Sequence, residues 1–224
     1  MQDFFDALKL ICFPIHREGY KFIIIFAIIS ALVAIFSSSL GLIGIVLTLW
    51  CIFFFRDPER IVPIENNAIV SPADGKVIKI DFGVSAPSEI YSGEQKWNKI
   101  SIFLNVFNVH VNRSPLSGIV EKVAYKPGKF LSANAPEASD ENERNSILLN
   151  HNSQNKIIFT QVAGLVARRI VSDVKNGQSL KIGDRYGIIR FGSRLDVYLP
   201  ENIEIKSMIG QTMIGGETII AKIK

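Results

Sequence analysis

The chain has 224 residues, enough for one domain with an appendage or for two small domains. Hydrophobic residues make up 48% of it and the mean hydropathy is +0.25, high for a soluble protein. The formal net charge of +4 is mild and accompanies no nucleic-acid-binding motif, so no nucleic-acid partner is expected. The two cysteines, Cys12 and Cys51, form neither a disulfide framework nor a metal-ligand spacing, and no metal is expected.

Residues 1–20 read as a short amphipathic lead. Phe4, Phe5, Leu8, Leu10, Ile11 and Phe13 stand against Asp3, Asp6 and Lys9, which suits an interfacial helix or a frayed terminus. From Phe22 to Phe55 there is no charged residue. One helix over that stretch would be about 51 Å long at ~1.5 Å per residue, against a hydrocarbon core about 30 Å thick. Ser37, Ser38, Ser39 and Gly41 offer a break, which gives two passes at about 22–36 and 40–55. Each is slightly short of the usual ~20 residues, so the hairpin is either spanning or re-entrant. A buried soluble hairpin is disfavoured, because apolarity runs all round both segments. Lys9, Arg17 and Lys21 precede the apolar run and Arg56 and Arg60 follow it, which places both ends on the cytoplasmic side of the cell membrane. A cleaved signal peptide is not expected, since the run is too long and lacks a small-residue cleavage site.

Before residue 56 the three basic and three acidic residues cancel, so the whole positive charge belongs to the rest of the chain. That fits a domain lying on an anionic membrane surface. The expected division is a lead and membrane hairpin over residues 1–60 and a β-rich catalytic domain over 61–224.

Past RDPERIVP the sequence is β-like. Candidate strands are Ala68–Ser71, Lys76–Asp81, Lys99–Leu104, Val109–Asn112, Ile119–Tyr125, Ser146–Asn150, Lys156–Ala163, Arg168–Val171, Tyr186–Phe191, Leu195–Leu199 and Thr218–Ile223. Turn signals separate them, among them Asp74-Gly75, Pro127-Gly128, Asn176-Gly177 and Gly215-Gly216. The fold class predicted is mainly β, a compact barrel or sandwich of short strands, preceded by an N-terminal helical membrane hairpin. The closing IGQTMIGGETIIAKI reads like a lipoyl- or biotinyl-type hairpin. Glu201–Met208 is the one stretch past residue 60 with any helical period, and ANAPEASDENERN (133–145) reads as a polar loop.

Three places carry candidate chemistry. His110 alternates with valines in V-H-V, in a run that reads as a strand; a ring there is either satisfied in a core or used in a cleft. Asp74 sits in SPADGK as a turn residue bonding local backbone or as a carboxylate that orients a distant imidazole. Gly192-Ser193 interrupts an apolar strand pattern, YGIIRF before and LDVYL after, and glycine inside a strand marks a bulge or a close approach. If the backbone bends there, Ser193 Oγ can attack the Gly192 carbonyl carbon and exchange the amide for an ester. Asp, His and Ser are the members of a nucleophile-activating relay whose chain order varies between folds.

Six segments in one order, HREGY (16–20), FFRDPER (54–60), SPADGKV (71–77), FNVHVNRSPLSG (107–118), ENERN (141–145) and FGSR (191–194), resemble the short form of the phosphatidylserine decarboxylase proenzymes. The resemblance covers nearly the whole chain. It implies a pyruvoyl-dependent enzyme that cleaves itself between Gly192 and Ser193, with His110 as base and Asp74 orienting it. Residues 1–192 would become the large chain, and Ser193 would become the pyruvoyl cofactor capping the small chain. That ketone would take up the amine of phosphatidylserine and act as an electron sink while CO₂ leaves, with His110 returning the proton. The membrane then holds both substrate and enzyme, which gives the hairpin a purpose.

Two features depart from the long form of the family. Long forms carry a second histidine where this chain has Arg113, and usually give the triad role to it; they also process at LGST, where this chain has FGSR. Arg113 is open to two readings, a phosphate contact or a surface ion-pair partner. The rival functions are a membrane-anchored serine hydrolase using the same three residues, which lacks the G-x-S-x-G elbow, and a non-catalytic lipoyl- or biotinyl-like binding module.

Overall fold

The computed structural model describes residues 13–133, 141–152, 155–164, 169–190 and 192–223. Most of the expected amphipathic lead, Cys12, the middle of the polar 133–145 loop, Arg168 and Phe191 lie outside the described residues. The chain divides into two units, one ending at Glu59 and one beginning at Arg60.

The first unit is a helical hairpin, α1 (Gly19–Phe36) and α2 (Ser38–Phe54). The break falls at Ser37, which is extended (φ −154°, ψ 115°) and whose side chain accepts a hydrogen bond from the Leu40 amide. Small residues set the close packing. A Cβ on Gly41 would lie 2.5 Å from Ala34, and one on Gly44 would lie 2.5 Å from Ser30. Ser30 Oγ and Thr48 Oγ1 meet at 3.3 Å across the pair. Such small and hydroxyl contacts are how apolar helices associate where the hydrophobic effect gives no drive. Ile24, Ile28, Leu32, Leu42, Val46 and Leu49 point outward and are more than half exposed. The two ends of the hairpin are joined by Asp57 N–H to Pro14 O (2.7 Å) and His16 N–H to Phe55 O (2.8 Å). By length and composition α1 is long enough to cross a membrane; α2 is one residue shorter.

The second unit is mainly β. Its strands are β1 (Ala68–Val70), β2 (Gly75–Val84), β3 (Trp97–Leu104), β4 (Val111–Arg113), β5 (Gly118–Lys126), β6 (Arg144–Asn152), β7 (Asn155–Ala163), β8 (Ile170–Ser172), β9 (Ser179–Leu180), β10 (Arg185–Ile189), β11 (Ser193–Pro200), β12 (Glu204–Ile205), β13 (Thr212–Met213) and β14 (Ile219–Lys222). Eight of them form one antiparallel sheet in the order β13-β2-β3-β11-β7-β6-β5-β9, which curls into a half-barrel. Two three-stranded sheets, β1-β14-β12 and β4-β10-β8, complete the unit.

The central strand β11 is buried along its whole length, so both of its faces are covered. Leu195, Val197 and Leu199 enter the main core with Ile100, Ile102 and Leu104 of β3. Tyr198 faces the other way and packs with Trp97, Ile90, Leu148 and Ile158. This is the two-residue alternation of a strand, with the second face closed by a chain segment instead of water.

Three details differ from the sequence reading. The strand expected over Val109–Asn112 begins only at Val111, because the preceding turn at Asn105–Asn108 is held by its own asparagines: Asn108 Oδ1 accepts from Asn105 N, and Asn105 Oδ1 from Phe107 N. Glu201–Met208 is no helix. Ile203 and Ile205, spaced by two, turn toward the core while Glu204 and Ile205 pair with β14. The two-residue strands β9, β12 and β13 are too short to leave a periodic signal.

Candidate active site

The nucleophile candidate opens β11 at one end of the large sheet. Ser193 pairs with Leu104, the last residue of β3, and with Ala163, the last residue of β7. On the far side of β3, Lys76 pairs with Phe103, so the Asp74-Gly75 turn lies at that same end of the sheet. Two strand spacings, about 10 Å, separate the backbones of β2 and β11. Ser193 is fully buried, and its Oγ has no hydrogen-bond partner among the described residues. A buried hydroxyl without a partner is costly and asks for an explanation.

The bond before it is held in an unusual way. Gly192 has φ +65°, in the left-handed region that a side chain strains. Its carbonyl lies against Gly164, just past the end of β7: a Cβ on Gly164 would sit 2.2 Å from Gly192 O and 3.1 Å from Gly192 C. Only a glycine at 164 leaves room for that carbonyl. The segment before Gly164 is itself fixed. The Asn142 amide donates to Ala163 O (2.7 Å) and to Leu131 O (2.9 Å), and accepts from Leu131 N (2.9 Å).

His110 is fully buried, immediately before β4. Its carbonyl accepts from Ile189 N (3.4 Å), at the end of the strand that leads through residues 190–192 to Ser193. Its Nδ1 lies 3.0 Å from Asn108 O. A carbonyl can only accept, so Nδ1 carries the hydrogen, and in the neutral ring the lone pair is on Nε2. Below the histidine, Asn112 Oδ1 accepts from Gln161 Nε2 (2.9 Å), and Gln161 Oε1 accepts from Asn145 Nδ2 (3.1 Å). This buried amide chain ties β4 to β7 and β6. Tyr186 is buried beside it with its ring 4.9 Å from Phe159, and burial pushes its phenol well above its ordinary pKa.

Asp74 is placed differently from its two companions. Both of its oxygens receive Arg60 Nη2 (2.8 and 3.0 Å), and Oδ1 also accepts from Gly215 N (2.8 Å). Its link to the histidine strand runs through the backbone of the same turn, where Pro72 O accepts from Arg113 N (2.8 Å). The structure therefore brings the Asp74 turn, His110 and Ser193 to one end of the domain, while the carboxylate's described partners are Arg60 and Gly215. Arg113 is no surface residue: it is 5% exposed and donates through Nη1 to Gly183 O (3.1 Å), because β4 is packed over by its neighbours.

Sequence reasoning missed three contributors. Arg60 stood inside the FFRDPER segment, but nothing linked it to Asp74. Gly164 and Gln161 sit in an ordinary strand end with no motif around them.

A β-rich domain whose large sheet carries, at one end, a left-handed glycine followed by a buried serine with no hydrogen-bond partner among the described residues makes that junction the candidate reactive site of an enzyme. Comparison with known proteins gives the particular family. The family model for phosphatidylserine decarboxylase matches residues 47–221. The chain is 50% identical over 221 residues to the phosphatidylserine decarboxylase proenzymes of Rickettsia akari, Rickettsia felis and Rickettsia prowazekii, covering 99% of this chain and 94% of each of theirs. The chain belongs to the phosphatidylserine decarboxylase family, and is a decarboxylase made as a proenzyme.

Proposed function

We propose that this proenzyme cuts itself between Gly192 and Ser193 and then decarboxylates phosphatidylserine to phosphatidylethanolamine and CO₂. The observation that carries the reading is the junction itself: a Gly192 carbonyl pinned against Gly164, followed by a buried Ser193 hydroxyl with no hydrogen-bond partner among the described residues.

In the processing step His110 Nε2 takes the proton from Ser193 Oγ, which attacks the Gly192 carbonyl carbon. The C–N bond breaks, and the nitrogen of residue 193 leaves as an amine with the proton from the histidine. The resulting ester then loses the Ser193 α-proton, and its Cβ–O bond breaks. Gly192 departs as a carboxylate, and residue 193 is left as dehydroalanine. Tautomerisation, addition of one water and loss of one ammonia give the pyruvoyl group, with no oxidant or reductant needed. Asp74 is the third member. Its turn carries the Pro72 carbonyl that receives Arg113 N of the histidine strand, so Asp74, held by Arg60 and Gly215 N, acts by fixing that turn.

The residues around Ser193 fit such a group, since the position is buried and no described hydrogen bond competes for the atom to be converted. When formed, the pyruvoyl supplies a ketone for the substrate amine and an electron sink for the carboxylate that leaves. His110 then holds the proton that the substrate's former α-carbon must receive. The helical hairpin is the membrane anchor. It keeps the domain on the surface where phosphatidylserine is concentrated, on the cytoplasmic side.

Ser193→Ala tests the reading, because alanine offers neither the attacking oxygen nor the precursor of the ketone. The variant is expected to stay a single chain and to release no CO₂ from phosphatidylserine. Release of CO₂ from an uncut Ser193→Ala protein would contradict the assignment.

A further inference from the structure

The proposed chemistry uses Ser193 and leaves its neighbour Arg194 without a role, yet Arg194 is one of the most elaborately held side chains in the domain. Strand alternation sends Ser193 and Leu195 to the core face and Arg194 and Asp196 to the opposite one. There Arg194 is 4% exposed and Asp196 1% exposed. Arg194 Nε lies 3.0 Å from Asp196 Oδ1 and Nη2 lies 3.1 Å from Oδ2, while Nη1 donates to Ala133 O at 3.0 Å. Burying such a pair costs desolvation that its attraction hardly repays, so stability alone explains it poorly. What a planar guanidinium that donates to Asp196 with one nitrogen and to Ala133 O with another does supply is position.

The partners divide in a telling way. Arg194 and Asp196 lie after the Gly192-Ser193 bond and Ala133 lies before it. While the bond is intact, residue 193 is tethered at both ends. Once it is cut, residue 193 is a chain terminus and, as a pyruvoyl group, has no N–H to offer the flanking strands. Termini fray unless something ties them down. The first side chain able to do so is Arg194.

We propose that Arg194 is the clamp that keeps the reactive end of the small chain in register after self-cleavage, joining it to the large chain through the Ala133 carbonyl. The inference rests on the self-cleavage reading above. Arg194 acts through the position of residue 193 and is a positioning residue, with no part in the bond-making steps.

The experiment uses the full chain in detergent with a short-chain phosphatidylserine. R194M/D196L removes the charges as a pair, so that no lone charge is left buried, and R194K keeps the charge but loses the planar group that reaches Asp196 and Ala133 O together. Both are expected to cleave as the unaltered chain does. The kcat of R194M/D196L should fall about 10- to 100-fold, the scale on which a reacting group is displaced by an ångström, with KM unchanged and with partial recovery in R194K. Hydrogen exchange should be faster in the peptide over residues 194–200 of the cleaved double variant. The same peptide should be equally protected with and without the substitutions in a Ser193→Ala background, where the chain remains whole. Full activity in R194M/D196L, failure of both variants to cleave, or an equal loss of protection in the uncut background would each overturn the clamp alone. An unaltered chain that remained in one piece on a denaturing gel would overturn the self-cleavage reading and the clamp with it.

Discussion

The carbonyl of Gly192 occupies the space that a side chain on Gly164 would fill: a Cβ there would come within 2.2 Å of the oxygen. A contact between two backbones is hard to relieve, because neither partner can rotate away. Gly164→Ala must therefore displace the scissile carbonyl. Misplacement on the ångström scale costs about 100-fold in rate, and Gly164→Ala is expected to slow self-cleavage by that order while leaving the domain folded. A time course on a denaturing gel, with circular dichroism as the control for folding, measures it. Cleavage at the unaltered rate would mean that the contact has no bearing on the attack.

His110→Ala is expected to remain a single chain. Its Nε2 holds the lone pair in the tautomer that the Asn108 carbonyl selects, and general base help is worth about 10²- to 10⁴-fold. A mutant that cleaves but releases CO₂ slowly would confine His110 to the decarboxylation step. One that cleaves and turns over normally would return it to the core.

How much of this was legible in the sequence follows physical lines. The apolar run with its serine break and the strands from Trp97 to Leu104 and from Ser193 to Pro200 repeat a pattern over many residues, and they stand in the structure close to where the pattern puts them. His110 and Ser193 were visible because a polar residue interrupts an apolar run. Arg60 and Gly164 were not. The Arg60–Asp74 pair depends on how the irregular segment between them folds, and Gly164 matters only because the end of β7 lies beside the start of β11. Neither fact has a local signature. The same limit explains Asp74: its chemistry suggested an imidazole partner, and tertiary packing supplied a guanidinium.

The Glu89–Arg144 pair should make stability depend on pH. Burial works to raise the Glu89 pKa, but the hydrogen bonds and charge of Arg144 outweigh it, and the carboxyl lies below its ordinary value of 4.5. Arg144 Nη2 to Glu89 Oε2 is 2.9 Å, and Arg144 is 4% exposed. With a depressed folded pKa, the contribution is fully present above the unfolded pKa and is lost as pH falls through the folded one. Glu89→Gln is expected to cost about 3 kcal/mol at neutral pH, since it leaves a buried guanidinium without its counter-charge. That corresponds to a fall in Tm of roughly 6–12 °C. The gap between the two proteins should close in acid, below the depressed pKa, where Glu89 is protonated. A gap that stays constant down to that range would show that the pair contributes no charge-dependent stability.

Removing residues 1–55 should leave a domain that folds and still cuts itself, because Arg60, Asp74, His110, Gly164 and Ser193 all lie in the second unit. Its activity should fall on bilayer substrate and hold on detergent-dispersed short-chain lipid. Loss of cleavage in a folded truncation would make the hairpin part of the catalytic fold.

Conversion of Ser193 to the cofactor leaves its mark in the intact mass of the small chain. The expected fragment runs from residue 193 to Lys224, is lighter by one ammonia than the same fragment with an N-terminal serine, and has no free amine. A fragment that began with an unmodified serine, or a purified active enzyme that remained one chain, would contradict it.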